Sequence, residues 1–291
     1  LVVEGGEADP HDPEAVNGLL AEPTLLYGAG YGRSLKSIFF LAEKIREEEV
    51  AGCPVVVLGR ELATELASPF AMLQDGTILI RREPLRYFFW DHIQEIRSSS
   101  RLSLHHALRR YGILKDGRLD HAGFRERLDH IVDAEIPIFI HHEVGEMLQE
   151  ELDSDTLRRI IAVFPDSIVE FVARAVKDVL ADTHPDGMLG FIIRAERDAS
   201  LGLYTGLLAG LRRELFPEIA PAFARFLQDR DWRGIERARR ACRDRNLLLA
   251  ATIRTIAGQI GEVTDEEVMR RFAEEVLTPL GLDAPQGKES Q

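Results

Sequence analysis

The sequence predicts a mainly α-helical protein, in which a large bundle-like helical domain follows a small α/β N-terminal portion. Strand-like runs are confined to the residues before 84, and from there apolar residues recur at helical spacing. Hydrophobic residues make up 45% of the 291 residues, which is enough to bury a substantial core. The turn sequence "KDGR" interrupts the helices at 115–118. We therefore divide the chain into residues 1–115 and residues 116–291.

The N-terminal portion reads as a βαβ-like passage after an irregular first segment. The run "TLLYGAGYGRSLKSIFFLAEKIREEEVAGCPVVVLGR" predicts a short strand, a glycine turn, a helix over 34–49 and a strand over 54–58. The turn sequence "QDG" then precedes a further strand over 77–82. One βα unit and two isolated strands are too few to indicate a doubly wound sheet.

The remainder of the chain reads as successive helices. The last of them begins at "TDEEVMRRF", where Thr264 and Glu267 have the spacing of a capping box. The other predicted helices cover residues 84–98, 103–111, 121–134, 136–152, 155–164, 167–181, 188–216, 217–230 and 232–261.

Composition and charge exclude several classes of partner. The net charge is −13 with a pI near 5.2, and no basic stripe offsets it, so we expect neither nucleic acid nor a membrane surface as a partner. The two cysteines, Cys53 and Cys242, lack metal-site spacing, which indicates a reducing cytoplasm. The chain starts at Leu1 with an acidic segment and no long apolar run, so we predict no signal peptide and no membrane span. An unidentified small molecule and a second copy of the chain remain as candidate partners.

The glycine turn suggests a phosphate-binding site. Gly28, Gly30 and Gly32 lie between the first predicted strand and the helix that is predicted to follow, and Arg33 adds a positive charge. Backbone amides at the start of a helix can hold a phosphate group. The spacing departs from G-x-G-x-x-G, and no acidic residue ends the next strand. The alternative is a turn in which glycine permits close backbone packing.

The predicted helix over 136–152 contains a candidate metal site. His142 and Glu146 are four residues apart and Glu143 and Glu146 are three apart, so their side chains share one sector of the helix. Imidazole nitrogen and carboxylate oxygen are common metal ligands. The alternative is a polar face in contact with water. The neighbouring sector is apolar and comprises Ile136, Ile140, Val144, Met147 and Leu148.

Two residues from later segments are candidate further ligands. Glu196 falls on the apolar stripe of the predicted helix 188–216, where a carboxylate is costly unless it is paired, protonated or bound to a cation. His184 lies in the loop sequence "ADTHPDGMLG", a placement typical of binding residues. The alternatives are an internal ion pair for Glu196 and, for the loop aspartates Asp182 and Asp186, helix capping.

The motifs "HHEVGE", "DTHPDG" and "GYGRSL" resemble those of an uncharacterised bacterial family of soluble helical proteins. The resemblance covers most of the chain and implies no activity. A looser likeness connects the chain to carboxylate-histidine di-iron bundles, which use E-x-x-H pairs on two helices. Here the order is H-x-x-x-E, from His142 to Glu146, and the motif occurs once. This departure favours a mononuclear site.

The sequence-based hypothesis is therefore a metal-binding protein that acts as a metal-dependent hydrolase or oxidoreductase. His142 and Glu146 supply one side of the metal site and His184 and Glu196 the other, while Glu143 serves as general base. Mixed nitrogen and oxygen ligands suit iron, manganese or zinc. Two alternatives remain: a non-enzymatic scaffold or regulatory module, and nucleotide or phosphate binding at the glycine turn.

Overall fold

A computed structural model describes residues 1–3, 6–31, 36–65, 69–94 and 96–282. Its N-terminal portion contains a curled mixed sheet and a short helix. These elements are β1 (Val2–Val3), β2 (Gly6–Glu7), α1 (Pro13–Leu19), β3 (Leu25–Tyr31), β4 (Ser37–Val50), β5 (Cys53–Thr64), β6 (Ala71–Gln74) and β7 (Thr77–Arg81).

From residue 82 onward the described chain is mainly helical, as predicted. The elements are α2 (Arg82–Gln94), α3 (Arg101–Arg110), β8 (Leu114–Lys115), β9 (Arg118–Leu119), α4 (His121–Leu148), α5 (Ser154–Val163), α6 (Ile168–Thr183), α7 (Met188–Arg194), α8 (Asp198–Leu207), α9 (Gly210–Leu215), α10 (Ile219–Asp229), α11 (Trp232–Gly258) and α12 (Asp265–Phe272). Short 3-10 or π-helical turns span Ser98–Ser100, Ala273–Leu277 and Thr278–Leu280. None of the helices in these described ranges combines the length and hydropathy that a bilayer crossing requires.

Among the described residues, the larger sheet has five strands in the order β3-β4-β5-β7-β6; β5 and β7 pair in parallel, and the other neighbours are antiparallel. The strands predicted over 54–58 and 77–82 correspond to β5 and β7. The helix predicted over 34–49 is wrong, because residues 37–50 form β4. Ile38, Phe40 and Ala42 alternate inward along it, and this burial outweighs the helix propensity of the glutamate-rich second half.

The predicted glycine turn is also wrong over its described residues. Gly28 and Gly30 lie within β3, opposite Phe40 and Ile38 of β4. A Cβ atom on Gly28 would lie 2.0 Å from the Phe40 ring, so glycine is needed there for close packing. Neither glycine starts a helix, and the phosphate-binding geometry is therefore missing at these two residues. Gly32 and Arg33 lie outside the described residues.

Two helix predictions need correction. The helices predicted over 121–134 and 136–152 are one helix, α4, which continues through Pro137 and ends at Leu148. The helix predicted over 188–216 is three helices, α7, α8 and α9. Glu196 occupies the first break with a left-handed φ of 48°, so it does not lie on a continuous apolar stripe.

Two large hydrophobic cores meet at α4. One is formed among the helices around α6, and Ile138 of α4 belongs to it. The other lies between the sheet and helices α2, α3 and α4, and it contains Ile136 and Ile140. Because α4 buries residues in both cores, it holds a central position from which its polar side chains can reach neighbouring helices.

Candidate functional site

Three polar residues of α4 form a compact cluster. One candidate ligand atom from each of His142, Glu143 and Glu146 lies within 4.8 Å of the other two. Glu143 is buried, with 5% of its surface exposed, and the other two residues are partly buried. The i, i+3 and i, i+4 spacing of the helix produces this arrangement, as the sequence predicts.

A close crossing of α4 and α6 completes the cluster. A Cβ atom on Gly145 would lie 2.1 Å from the carbonyl oxygen of Ala181, so the two helices approach closely only because residue 145 is glycine. The crossing places Asp182 in the last turn of α6, where its Oδ1 is 2.7 Å from Nδ1 of His142. Contact through Nδ1 leaves Nε2 of His142 as the nitrogen available to a ligand.

Asp182 is fully buried, and three polar side chains of the described chain contact its carboxylate. Its Oδ2 accepts hydrogen bonds from the Tyr204 hydroxyl, at 3.1 Å, and from the Arg212 guanidinium. Burial raises the pKa of Asp182, but Arg212 and His142 outweigh it and hold the pKa below its usual range. Burial in turn lowers the pKa of His142, but the hydrogen bond and charge of Asp182, with the charges of Glu143 and Asp178, outweigh it and raise the pKa to about 9.

Glu146 is oriented by a cation from the same neighbouring helix. The ammonium group of Lys177, on α6, forms an ion pair with Oε1 of Glu146. Burial raises the pKa of Glu146, but the positive charges of Lys177, His142 and Arg174 together outweigh it, so the pKa of this carboxyl lies below its usual value. Glu146 is therefore an ionised carboxylate in a defined position.

Glu143 has no such partner. Within the described ranges, no group donates a hydrogen bond to it or forms an ion pair with it. Burial raises the pKa of the Glu143 carboxyl, and the positive charge of His142 offsets only a fraction of that rise. The nearby Asp178 carboxyl also has a pKa raised by burial. With only 5% of its surface exposed, the Glu143 carboxylate is stabilised when a proton or a cation neutralises it.

Glu143 lies where two cavities meet. An open cleft of about 1150 Å³ runs between the sheet and helices α4, α5 and α6, and both Glu143 and Glu146 line it. A second cavity of about 400 Å³ lies between α2, α4 and α8, and both His142 and Glu143 line it. The cluster is thus accessible from a broad cleft on one side and from a smaller, mainly apolar cavity on the other.

A second acidic residue lies at the other end of the smaller cavity. Glu135, two turns before Glu143 on α4, is 2% exposed and accepts hydrogen bonds from the Tyr111 hydroxyl and, at 2.7 Å, from Ser200. Arg197 lies 3.8 Å away. Burial raises the pKa of Glu135, and its polar neighbours offset only a fraction of the rise.

The structure brings together three of the predicted site residues and leaves two outside the cluster. His184 ends α6, and its Nδ1 accepts a hydrogen bond from the backbone N–H of Asp186 at 3.1 Å. Glu196 is exposed in the turn between α7 and α8. Neither residue joins His142, Glu143 and Glu146 in a set of neighbouring ligand atoms within the described chain.

Sequence reasoning did not place Asp182, Lys177 or Glu135 in the site, and it assigned Asp182 to helix capping. The sequence offered a signal for two of them, since Asp182 follows the buried Val179 by three residues and Glu135 follows the buried Ile131 by four. A carboxylate on an apolar stripe indicates a partner inside the protein. Lys177 gave no comparable signal, because a lysine on a helix normally extends into solvent.

Two family models match the chain. Both describe a family of unknown function (DUF6866), whose N-terminal domain matches residues 1–81 and whose C-terminal domain matches residues 86–275. No curated protein and no solved structure matches the chain. The matches confirm the predicted resemblance to an uncharacterised family and carry no activity to this chain.

Proposed function

We propose, from the candidate site alone, that this protein is a metal-dependent hydrolase or oxidoreductase. The chain belongs to the DUF6866 family, and membership of that family implies no activity. His142, Glu143 and Glu146 would bind one divalent metal ion. The observation that carries the proposal is Glu143, a nearly buried carboxylate without a hydrogen-bonding partner in the described chain, beside two further ligand groups.

The donor set fits a transition-metal ion. It offers one imidazole nitrogen and carboxylate oxygens, which suits iron, manganese or zinc. Asp182 contacts His142 through Nδ1, in the manner of the carboxylates that orient metal-binding histidines. Four carboxyl groups and two cations lie near His142, and a divalent ion would take the place of the proton that Asp182 stabilises on its ring. The carboxyl groups are Glu143, Glu146, Asp178 and Asp182, and the cations are Lys177 and Arg212.

The proposed site can support chemistry because its protein ligands leave coordination positions open. A divalent ion there would supply Lewis acidity toward a substrate oxygen. Glu143 would contribute one oxygen to the ion and keep the other as a proton acceptor, which retains its predicted role as general base. A cytoplasmic location belongs to the same proposal, because Cys53 and Cys242 are both buried free thiols.

One observation favours the alternative, a non-enzymatic scaffold. Lys177 already neutralises Glu146, so the cluster can be viewed as an ion-pair network that joins α4 to α6. This alternative predicts a stable protein without metal. The metal proposal differs because it also accounts for Glu143, which has no ion-pair partner among the residues that the structure describes.

Metal content decides between these functions. We expect untagged, purified protein to contain about one equivalent of iron, manganese or zinc by mass spectrometry. The variants His142→Ala and Glu146→Gln should each lose most of it, because each removes one ligand. Circular dichroism and thermal unfolding would verify that both variants remain folded.

Matched controls are available on the same and neighbouring segments. Glu150→Ala removes an exposed glutamate just beyond α4 and should retain the metal, as should His184→Ala and Glu196→Ala. Protein that binds no metal even after incubation with iron, manganese and zinc salts would rule out the proposal and leave the scaffold.

A further inference from the structure

The smaller cavity beside the cluster has the dimensions of a binding pocket for a small organic molecule. Its volume of about 400 Å³ lies within the range of ligand sites, roughly 300–1,000 Å³. One face of α4 forms its wall, because Glu135, Ile138, Phe139, His142 and Glu143 all line it at helical spacing. The wall therefore has polar groups at both ends and an apolar middle.

The apolar region of the cavity is aromatic. Phe70, Phe88, Phe89 and Phe139 all line it. The ring centre of Phe70 is 4.9 Å from that of Phe88 and 4.8 Å from that of Phe139, and the Phe89 and Phe139 centres are 6.1 Å apart. These separations are those at which aromatic rings attract one another. A further ring in the cavity would find both edges and faces to contact.

The polar end nearest these rings favours an anion once a divalent ion is bound there, because the Glu143 carboxylate also lines this end. His142 follows Phe139 by one helical turn, a rise of about 4.5 Å along α4. Arg212 lines the same cavity, and its side chain keeps 34% of its surface exposed although it pairs with Asp182. A divalent ion at His142 and Glu143 would add positive charge at this end. The carboxylate of a ligand can meet both cations at a short distance from a ring held by the phenylalanines.

We propose that the cavity binds a small aromatic carboxylate, with its ring among Phe70, Phe88 and Phe139 and its carboxylate toward His142 and Arg212. This inference deepens the proposed function by naming a ligand class, and the metal contribution at the carboxylate end rests on that function. The aromatic end rests on the cavity alone. The two can therefore be tested separately.

The test is calorimetric titration with 3-phenylpropionate, 3-phenylpropanamide and hexanoate, on protein loaded with Mn²⁺ and on protein stripped of metal. We expect 3-phenylpropionate to bind the loaded protein at least tenfold more tightly than the neutral amide and the aliphatic acid. Phe88→Ala should weaken its binding about tenfold, because a lining ring is lost. Tyr87→Ala is the matched control and should change nothing, since Tyr87 is the 64% exposed neighbour on the same helix.

A second variant guards against a loss of folding in Phe88→Ala. Leu207→Trp adds bulk to a partly buried residue that lines the cavity, so it should block binding without removing a core side chain. The inference is overturned, even if the metal is present, if 3-phenylpropionate binds neither the loaded nor the stripped protein. It is also overturned if hexanoate binds as tightly as 3-phenylpropionate. If the protein takes up no metal on loading but still binds 3-phenylpropionate in a Phe88-dependent manner, the aromatic cavity is supported and the metal site is rejected.

Discussion

At the scale of single residues, the two carboxyl groups that line the smaller cavity, those of Glu143 and Glu135, differ in their hydrogen-bonding partners. Glu143 has no hydrogen-bonding partner among the described residues, whereas Glu135 accepts hydrogen bonds from Tyr111 and Ser200. Both carboxyl groups have a pKa raised by burial. The difference in partners assigns them different roles: Glu143 is available to a ligand, and Glu135 joins α4 to α3 and α8.

The titration of Glu135 predicts a pH dependence of stability. The pKa of Glu135 in the folded chain lies above its ordinary value of 4.5. Between these two pKa values, the folded chain binds more protons than the unfolded chain. The free energy of unfolding that Glu135 contributes must therefore fall as pH rises above 4.5, by at most about 1.4 kcal/mol per pH unit. Glu135→Gln removes the titration and keeps an oxygen that accepts both hydrogen bonds.

Urea unfolding of both proteins from about pH 4.5 to about pH 7.5 measures the effect. The free energy of unfolding of the native protein minus that of Glu135→Gln should decrease with pH. A difference that is constant or increases with pH would show that Glu135 is not held above its ordinary pKa.

At the scale of secondary structure, the crossing of α4 and α6 positions the candidate site. His142 and Glu146 on α4 meet Asp182 and Lys177 on α6, and the closeness of the helices depends on Gly145. Each helix supplies groups that the other needs, so neither would present the site alone. The geometry of the crossing therefore matters as much as the ligand residues themselves.

Replacement of one glycine tests this dependence. In Gly145→Ala the new Cβ would lie 2.1 Å from the Ala181 carbonyl oxygen, and the helices must separate. We expect the free energy of unfolding to fall by about 1–3 kcal/mol. Metal content, if present, should fall as well, because His142 would lose its contact with Asp182.

Gly258→Ala is the matched control for that substitution. Gly258 is the last residue of α11, and no atom lies within 4 Å of a Cβ added there. Its free energy of unfolding should be unchanged or higher by less than about 1 kcal/mol, since alanine is the better helix former. Equal effects of the two substitutions would contradict a tight crossing at Gly145.

At the scale of the whole molecule, the two large cores share one helix. Ile138 of α4 packs in the helical core, while Ile136 and Ile140 pack in the core against the sheet. If α4 separates from one core, its movement also exposes the apolar side chains that it buries in the other core. We therefore expect both cores to unfold in one cooperative transition.

The two tryptophans of the chain report on the two cores separately. Trp90 stacks on Phe124 of the sheet-side core with ring centres 5.6 Å apart, and Trp232 packs on Phe226 of the helical core at 4.6 Å. Trp232→Phe leaves Trp90 as the fluorophore, and Trp90→Phe leaves Trp232. In each variant the urea midpoint from fluorescence should equal the urea midpoint from circular dichroism of the same variant. Two distinct fluorescence midpoints would mean that the cores unfold independently.

The features that depend on contacts between residues near in sequence could be predicted from the sequence alone. The helical periodicity after residue 84, the Thr264 cap and the convergence of His142 with Glu146 all depend on contacts within a few residues along the chain. Thr264 indeed accepts a hydrogen bond from the backbone N–H of Glu267. Such features follow from helix geometry, which is independent of the remainder of the fold.

Only the tertiary structure decided the features that depend on distant partners. Residues 37–50 form a strand because Phe40 and its inward neighbours are buried in the sheet. Local helix propensity does not include this contribution from burial. Asp182 reaches His142 from a helix 40 residues away in sequence, and Glu196 leaves its predicted stripe at a helix break. A single sequence specifies which side chains share a helical face, but packing between elements determines which of those faces meet.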